Sequence, residues 1–287
     1  MMPSPIAKLS LLRLGEMKQR REPIAMVTAY DAPGARLADA SGVDIILVGD
    51  SAAMVMLGHT STVPVTLDEM LMLTAAVVRG TRRALVVGDL PFGSYQASDE
   101  QAVTSAVRMV KEAGADIVKL EGSERRLSRI RAIIDASIPV MGHIGLTPQS
   151  ATLLGGYRAQ GRTASAARHL HESAKAIEAA GASALVVEAV PPAVAAAIAR
   201  DLRIAVIGIG AGAACDGQVL VWHDLLGLSD DPAPRFVKRY AHLSEDIGRA
   251  LKAYVDDVRA GTYPEPAHTY PMPDDERLQF EALVKAP

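Results

Sequence analysis

The chain has little of several things. Its 287 residues include one cysteine, one tryptophan and three phenylalanines. A lone cysteine, Cys215, cannot close an internal disulfide, which fits a reducing compartment, and the expected location is the cytoplasm. Aromatic residues make up only 4% of a chain that is 49% hydrophobic, so any core must be aliphatic. No apolar run approaches the ~18 residues of a membrane span. The net charge is only −3, and no Lys/Arg stripe interleaves with aromatics. Nucleic acid and membrane surfaces are therefore not expected partners. The stretch before Ile24 is broken by Lys8, Arg13 and Glu16 and has no small-residue cleavage site, so it does not read as a signal peptide.

What is present is a recurring strand. Asp44 to Ser51 reads DIILVGDS, with four aliphatic residues running into Gly49, Asp50 and Ser51. Such a run predicts a strand buried on both faces, as in parallel sheets. The design recurs at Ala84–Pro91 (ALVVGDLP, with Asp89) and Ala115–Gly122 (ADIVKLEG, with Lys119 and Glu121). It recurs again at Pro139–Leu146 (PVMGHIGL, with His143) and Ala184–Val190 (ALVVEAV, with Glu188). Further strands are expected at Ile24–Asp31, Ile204–Ile209 and Val219–Trp222.

Helices are expected between them, at 9–20, 33–41, 66–80, 98–114, 124–136, 164–180 and 191–200, with a last one over roughly 235–260. Thr66 with Glu69, and Ser98 with Gln101, have capping-box spacing. ASGVDIILV, EAGADIVKL and AAGASALVV repeat one pattern, in which Gly42, Gly114 and Gly181 fit the left-handed residue that ends a helix. Eight countable strands with short αβ connections predict an α/β protein, a single (β/α)8 TIM barrel over 1–287. It should carry a short N-terminal helical segment (1–23), a C-terminal helix and an extended Pro-rich tail (264–287). A doubly wound sheet is the alternative. It explains less well why polar residues end at least five strands.

Each polar group has a bland reading and a chemical one. Asp50 and Asp89 each follow Val-Gly and could cap helices, but the repetition at two strand ends favours a shared role. Lys119 and Glu121, two apart on a strand, face one side with Ile117, while Val118 and Leu120 face the other. A buried Lys and Glu are costly unless paired or used. Three carboxylates, Asp50, Asp89 and Glu121, suggest a hard divalent cation such as Mg2+. Glu188 suits a general base or a capping carboxylate. His143 could be a hydrogen-bonded structural residue or part of the pocket. The polar stretch Thr147–Thr163 suits an active-site lid. Gly208–Gly212 could bind an anion or only turn the chain, and Cys215 has no partner that would activate it.

The strings VTAYD, VGDS, GHTSTVPVT, GDLPFGSY, VKLEG, GHIGLTPQS, GGYRAQGR, VVEAVP, IGIGAG and CDGQVLVWHDLLG closely resemble the ketopantoate hydroxymethyltransferase family. The likeness runs from about residue 12 to about 270. It implies a (β/α)8 barrel that transfers a one-carbon unit from 5,10-methylenetetrahydrofolate to 3-methyl-2-oxobutanoate with a divalent metal, usually Mg2+. It also implies a homo-oligomer, typically a decameric ring. On the matching positions it implies Asp50, Asp89 and Glu121 as metal ligands and Asp50, Ser51, Asp89 and Lys119 as contacts to the 2-oxo acid. Glu188 would be the proton acceptor and His143 a supporting pocket residue. This chain departs from the usual pattern at Ala52, Ala53 and Ala213 and in Tyr157-Arg158-Ala159.

Two other readings compete. One is an Mg-dependent 2-oxo acid lyase or mutase of the phosphoenolpyruvate/isocitrate-lyase type, whose Lys-Lys-Cys-Gly-His motif is absent here. The other is a non-catalytic metabolite-binding barrel, which would have no need of a buried base.

Overall fold

Eight aliphatic runs become eight parallel strands that pair in sequence order and close β1 onto β8. The computed structural model describes residues 7–229 and 234–285. The chain begins α1 (Leu11–Arg20), β1 (Ile24–Thr28), α2 (Ala32–Ala40), β2 (Ile45–Val48), α3 (Ala52–Val55), α4 (Leu67–Gly80) and β3 (Leu85–Asp89). It continues α5 (Asp99–Lys111), β4 (Ile117–Glu121), α6 (Leu127–Asp135), β5 (Val140–Gly145), α7 (Ala151–Leu154), α8 (Ala164–Ala179) and β6 (Ala184–Glu188). It ends α9 (Pro192–Asp201), β7 (Ala205–Ile209), β8 (Gly217–Leu220), α10 (Trp222–Leu226), α11 (Leu243–Ala260) and α12 (Asp274–Lys285). Two compact units divide after Tyr240, and the barrel lies wholly in the first.

Local chemistry starts and stops the helices where the sequence says it should. Thr66 and Glu69 form the reciprocal capping box at the head of α4, and Ser98 Oγ accepts from Gln101 N at 3.0 Å ahead of α5. Gly42, Gly114 and Gly181 all take positive φ between a helix and the next strand.

Alternation along the strands builds two apolar layers. Ile45, Leu47, Leu85, Val87, Ile117, Met141, Val186 and Ile207 fill the barrel interior. Ile46, Val86, Val118, Leu120, Leu185 and Val206 pack outward beneath the helices. Helix α1 stoppers the amino end, with Leu14 and Met17 buried against the interior set. Every strand therefore runs from a closed apolar floor toward the rim where the site stands.

Several elements differ from the sequence reading. Strand β8 starts two residues earlier, at Gly217, and Trp222 opens α10 with its N–H donated to Thr28 Oγ1 at 2.9 Å. The stretches after β2 and β5 contain short helices, α3 and α7. The last long helix begins at Leu243 rather than near 235; Pro234 takes up a turn accepting from Val237 N, and Glu245 and Asp246 supply the acidic first turn further on. The tail is not extended throughout. Beyond Pro273 no proline interrupts the described residues, and Asp274, Asp275 and Glu276 favour the N-terminus of α12. Residues 1–6 of the N-terminal segment and 286–287 of the tail lie outside the described residues.

No helix stands between β7 and β8, which are joined directly through Gly210–Asp216. A cavity of about 1360 Å3 lies along that stretch, bordered by Ile24, Ala199, Cys215 and Gln218. Among the described residues no helix is long and apolar enough to cross a membrane.

Candidate active site

Strand alternation sets the site. Val87, Ile117, Met141 and Val186 face the barrel axis, so Asp89, Lys119, His143 and Glu188, each two residues on, face it as well, nearer the carboxyl rim. Glu121 is one further step along β4. Register then pairs them: Asp89 lies opposite Lys119, and Glu121 opposite His143. Gly145 lies opposite Glu188 in the same ladder. At φ +94 its missing Cβ would fall 2.2 Å from the Glu188 carbonyl, so only glycine lets β5 and β6 close here.

The predicted residues do come together. Lys119 Nζ donates to Asp89 Oδ2 at 2.6 Å, with both side chains almost completely buried. The backbone N–H of Asp50 donates to the same oxygen at 3.2 Å, joining β2 to the cluster. His143 stands between two carboxylates, with Nδ1 3.4 Å from Glu121 Oε1 and Nε2 3.2 Å from Glu188 Oε2. Neither contact has hydrogen-bond geometry, so they are read as ion-pair contacts. Ser51 sits ahead of α3 with its Oγ 2.9 Å from the Tyr30 hydroxyl.

Burial and crowding shape the charges. Burial, and then repulsion from Asp50, push the Asp89 carboxyl up to about 7 against the pull of Lys119. For Lys119 burial works against the ammonium, but Asp89, Asp50 and Glu121 outweigh it and hold the group above its usual value. Burial also raises Glu121. For His143, burial and Lys119 disfavour the imidazolium, yet Glu121 and Glu188 prevail and lift it to about 9. Four carboxylates thus surround one ammonium and one imidazole, an arrangement with surplus negative charge in a dry place.

The donor set suits a hard cation. Asp89 Oδ1 and Glu121 Oε1 are buried without a hydrogen-bond partner, which costs free energy unless a ligand uses them. All the carboxylate ligands on offer are oxygen, as Mg2+ prefers. Among the described residues no three His, Cys, Asp or Glu side chains form a ready metal cage. Mg2+ does not require one, since it binds through one or two carboxylates and keeps waters for substrate to replace.

Sequence reasoning missed the residue that ties the cluster together. Gln149 is buried, and its Nε2 donates to Asp50 Oδ2 at 3.0 Å and to the Leu90 carbonyl at 2.9 Å. Its backbone N–H donates to Glu121 Oε2 at 3.0 Å. Tyr95, also buried, donates its hydroxyl to Gln149 Oε1 at 2.6 Å and accepts from Glu121 N at 3.2 Å. The signal was available in the TPQS string, at the start of the stretch read as a lid. Further along that stretch, burial and the fields of Asp50, Glu121 and Glu188 raise the Tyr157 hydroxyl, which lies 3.9 Å from Met54 Sδ.

The glycine loop and the cysteine have plainer roles. Gly210 packs against Phe236 and Gly212 against Pro192 too closely for a Cβ. Burial, with Asp216 beside it, pushes the Cys215 thiol up to about 11, so it is inert at neutral pH.

Comparison with known proteins gives two kinds of likeness. A family model described as ketopantoate hydroxymethyltransferase matches residues 8–266. A protein of Chloroflexus aggregans named 3-methyl-2-oxobutanoate hydroxymethyltransferase is 57% identical over 261 residues, 91% of this chain and 93% of the relative. One of the same name from Geobacillus kaustophilus is 54% identical over 260 residues, again 91% and 93%. Among solved structures, a phosphoenolpyruvate phosphomutase from Streptomyces platensis subsp. rosaceus superposes with a TM-score of 0.60 at 17% identity, covering 96% of this chain and 97% of that one. A phosphonopyruvate hydrolase in complex with oxalate and Mg++ superposes with a TM-score of 0.59 at 12% identity, covering 96% of each chain. At those identities the solved structures share the fold alone.

Proposed function

The chain belongs to the ketopantoate hydroxymethyltransferase family, and on that premise we propose how its rim residues carry out the reaction. It is a transferase that adds a hydroxymethyl unit to 3-methyl-2-oxobutanoate, giving 2-dehydropantoate for pantothenate synthesis. Our reading is that the one-carbon donor is 5,10-methylenetetrahydrofolate and that the metal is Mg2+, held by Asp50 and Asp89 with Glu121 nearby. The observation that carries it is the pair of buried carboxylate oxygens, Asp89 Oδ1 and Glu121 Oε1, that accept no hydrogen bond beside a buried Lys119. Bound there, the cation would supply Lewis-acid stabilisation of enolate charge worth several kcal/mol.

The chain's own groups do the rest. Lys119 places a buried positive charge where an anionic 2-oxo acid must sit, and Asp89 holds that ammonium in place at 2.6 Å. Asp50, Ser51 and Asp89 bound the same space on the β2–β3 side. Glu188 takes the proton from C3, and His143 Nε2, at 3.2 Å, orients its carboxylate. The methylene carbon of the donor then exchanges its two C–N bonds for one bond to C3 and one to a water oxygen, and tetrahydrofolate leaves with its two nitrogens protonated, by the proton taken from C3 and one from that water. Gln149 fixes the rotamer of Asp50 and so holds one side of the pocket rigid.

The test is turnover. Purified protein with Mg2+, 3-methyl-2-oxobutanoate and 5,10-methylenetetrahydrofolate should form 2-dehydropantoate, and chelation should stop it. Absence of product with active donor present would sink the reading. The mutase or lyase alternative loses ground because sequence relatives above 50% identity are hydroxymethyltransferases, while the mutases share only the fold. The reading extends to a cytoplasmic homo-oligomer, typically a decamer in this family. In α11 the residues Ile247, Leu251, Tyr254 and Val258 form an exposed apolar stripe at helical spacing. Light scattering should give a particle several times 30.3 kDa, and a 30.3 kDa particle at micromolar concentration would reject the oligomer.

A further inference from the structure

A second cavity, of about 380 Å3, opens at the carboxyl rim between the connections that follow β3, β4 and β5. It borders the carboxylate cluster directly, because Glu121 and Tyr95 line it. None of the residues given a role in proton transfer or in holding the 2-oxo acid lines it, so it is additional space beside the reacting centre. Its volume falls in the range of small-molecule sites and is too large for a few waters.

Three features of the lining point to one kind of ligand. First, Phe92 and Leu153 border it while leaving 46% and 79% of their surfaces uncovered. Large apolar side chains gathered at a cavity mouth favour a flat or apolar group between them. Second, Arg125 and Arg126 line it, and neither has an ion-pair partner among the described residues. The Arg126 stem lies against Gly122, where a Cβ would meet its Cγ at 2.5 Å, so glycine at the strand end permits that placement. Two free guanidinium groups at one mouth suit a carboxylate tail. Third, Gln160 contributes a side-chain amide whose Nε2 is engaged with the Arg158 carbonyl while its oxygen is free to accept.

We propose that this cavity is the subsite for the one-carbon donor: its flat heteroaromatic head lies between Phe92 and Leu153, and its anionic tail meets Arg125 and Arg126. The assignment rests on the function proposed above. It also answers a geometric need of that function. The donor's carbon must come within about 3–3.5 Å of C3 without displacing the base or the oxo acid, and a cavity sharing Glu121 with the cluster allows that approach.

The experiment compares Phe92→Ala and the double variant Arg125→Ala/Arg126→Ala with wild type in steady-state kinetics, varying the donor. The arginine pair lies at an exposed turn and Phe92 is half exposed, so folding should survive. The KM for 5,10-methylenetetrahydrofolate should rise about tenfold in the arginine variant, the loss expected for charge-assisted contacts. It should rise roughly three- to tenfold in Phe92→Ala, the loss expected for an aromatic contact. The KM for 3-methyl-2-oxobutanoate should stay put in both. Titration with tetrahydrofolate and with tetrahydropterin, which lacks the anionic tail, sharpens the result. The arginine variant should weaken only the first, and Phe92→Ala should weaken both. Wild-type donor KM in both variants overturns the subsite and leaves the function standing. Wild-type protein that exchanges the C3 hydrogen but never uses the donor overturns the donor and the subsite together.

Discussion

Acidic side chains stand at both ends of the barrel and serve opposite ends. At the floor each is committed to backbone. Asp44 Oδ2 accepts from Ala25 N at 3.0 Å, Asp116 Oδ2 from Val86 N at 2.8 Å and Asp216 Oδ2 from Val206 N at 2.8 Å. The rule is regular: an aspartate just before one strand satisfies the second N–H of the strand before it. Asp39 does similar work for Arg82, Arg83 and Ala84, and Glu178 for Arg203 and Ile204. At the rim side chains join backbone N–H groups in holding the carboxylates, and two of the buried oxygens accept no hydrogen bond. The residue type is the same, so what separates scaffold from chemistry is whether carboxylate oxygens are left buried without a hydrogen bond.

That contrast can be broken from either end. The largest effect should come from Glu188→Gln at the rim. Deprotonation precedes the new carbon–carbon bond, so wild-type protein with Mg2+ in D2O should exchange the C3 hydrogen of 3-methyl-2-oxobutanoate without donor. The variant should lose that exchange by at least ~10²-fold while melting like wild type. The readout is the C3 proton signal over time, and near-wild-type exchange would move suspicion to His143. Next, Asp89→Asn should weaken Mg2+ binding at least about tenfold by calorimetry, with excess Mg2+ partly restoring exchange. Unchanged affinity would remove Asp89 from the ligand set.

At the floor the sign reverses, with stability lost and chemistry kept. Asp216→Ala strands the Val206 N–H and the Lys18 ammonium, the latter bonded otherwise, among the described residues, only to the Ala199 carbonyl. It should cost about 2 kcal/mol, or roughly 4–8 °C in Tm, with exchange per folded molecule unchanged. The smallest effect belongs to Thr66→Ala, about 1 kcal/mol for a lost cap. Hydrogen bonds from Thr66 hold the Glu69 carboxyl below its ordinary 4.5. A folded value below the unfolded one stabilises above the unfolded value and is lost as pH falls through the folded one. The Tm gap between Thr66→Ala and wild type should therefore narrow in acid and stay constant from about pH 6 upward.

The floor was easier to read in the sequence than the rim. The Gly-small-Asp repeat before strands is local, and strand alternation alone placed Lys119 and Glu121 inward with Ile117. Asp50, Asp89 and Glu188 were legible because each ends an aliphatic run, and His143 because it interrupts one. Gln149 and Tyr95 were not, because neither belongs to a strand. Gln149 reaches Asp50 across 99 residues of chain and Tyr95 reaches Gln149 across 54, contacts that no periodicity encodes. The tail failed for a different reason: four prolines before Asp274 dominated the reading of a segment whose final stretch has good helix formers and an acidic start.

The stopper helix also sets a schedule for synthesis. Leu14 and Met17 are made before any strand of the barrel, yet the floor they seal is finished only when β8 pairs with β1. Lys18 waits 198 residues for Asp216. Until about residue 220 has left the ribosome, the nascent chain carries an amphipathic helix with its apolar face uncovered and a sheet with two open edges, and such species are prone to mispair with one another. Chaperone capture during elongation is thus most needed late in synthesis, and a chain halted just short of Gly217 is the most hazardous intermediate.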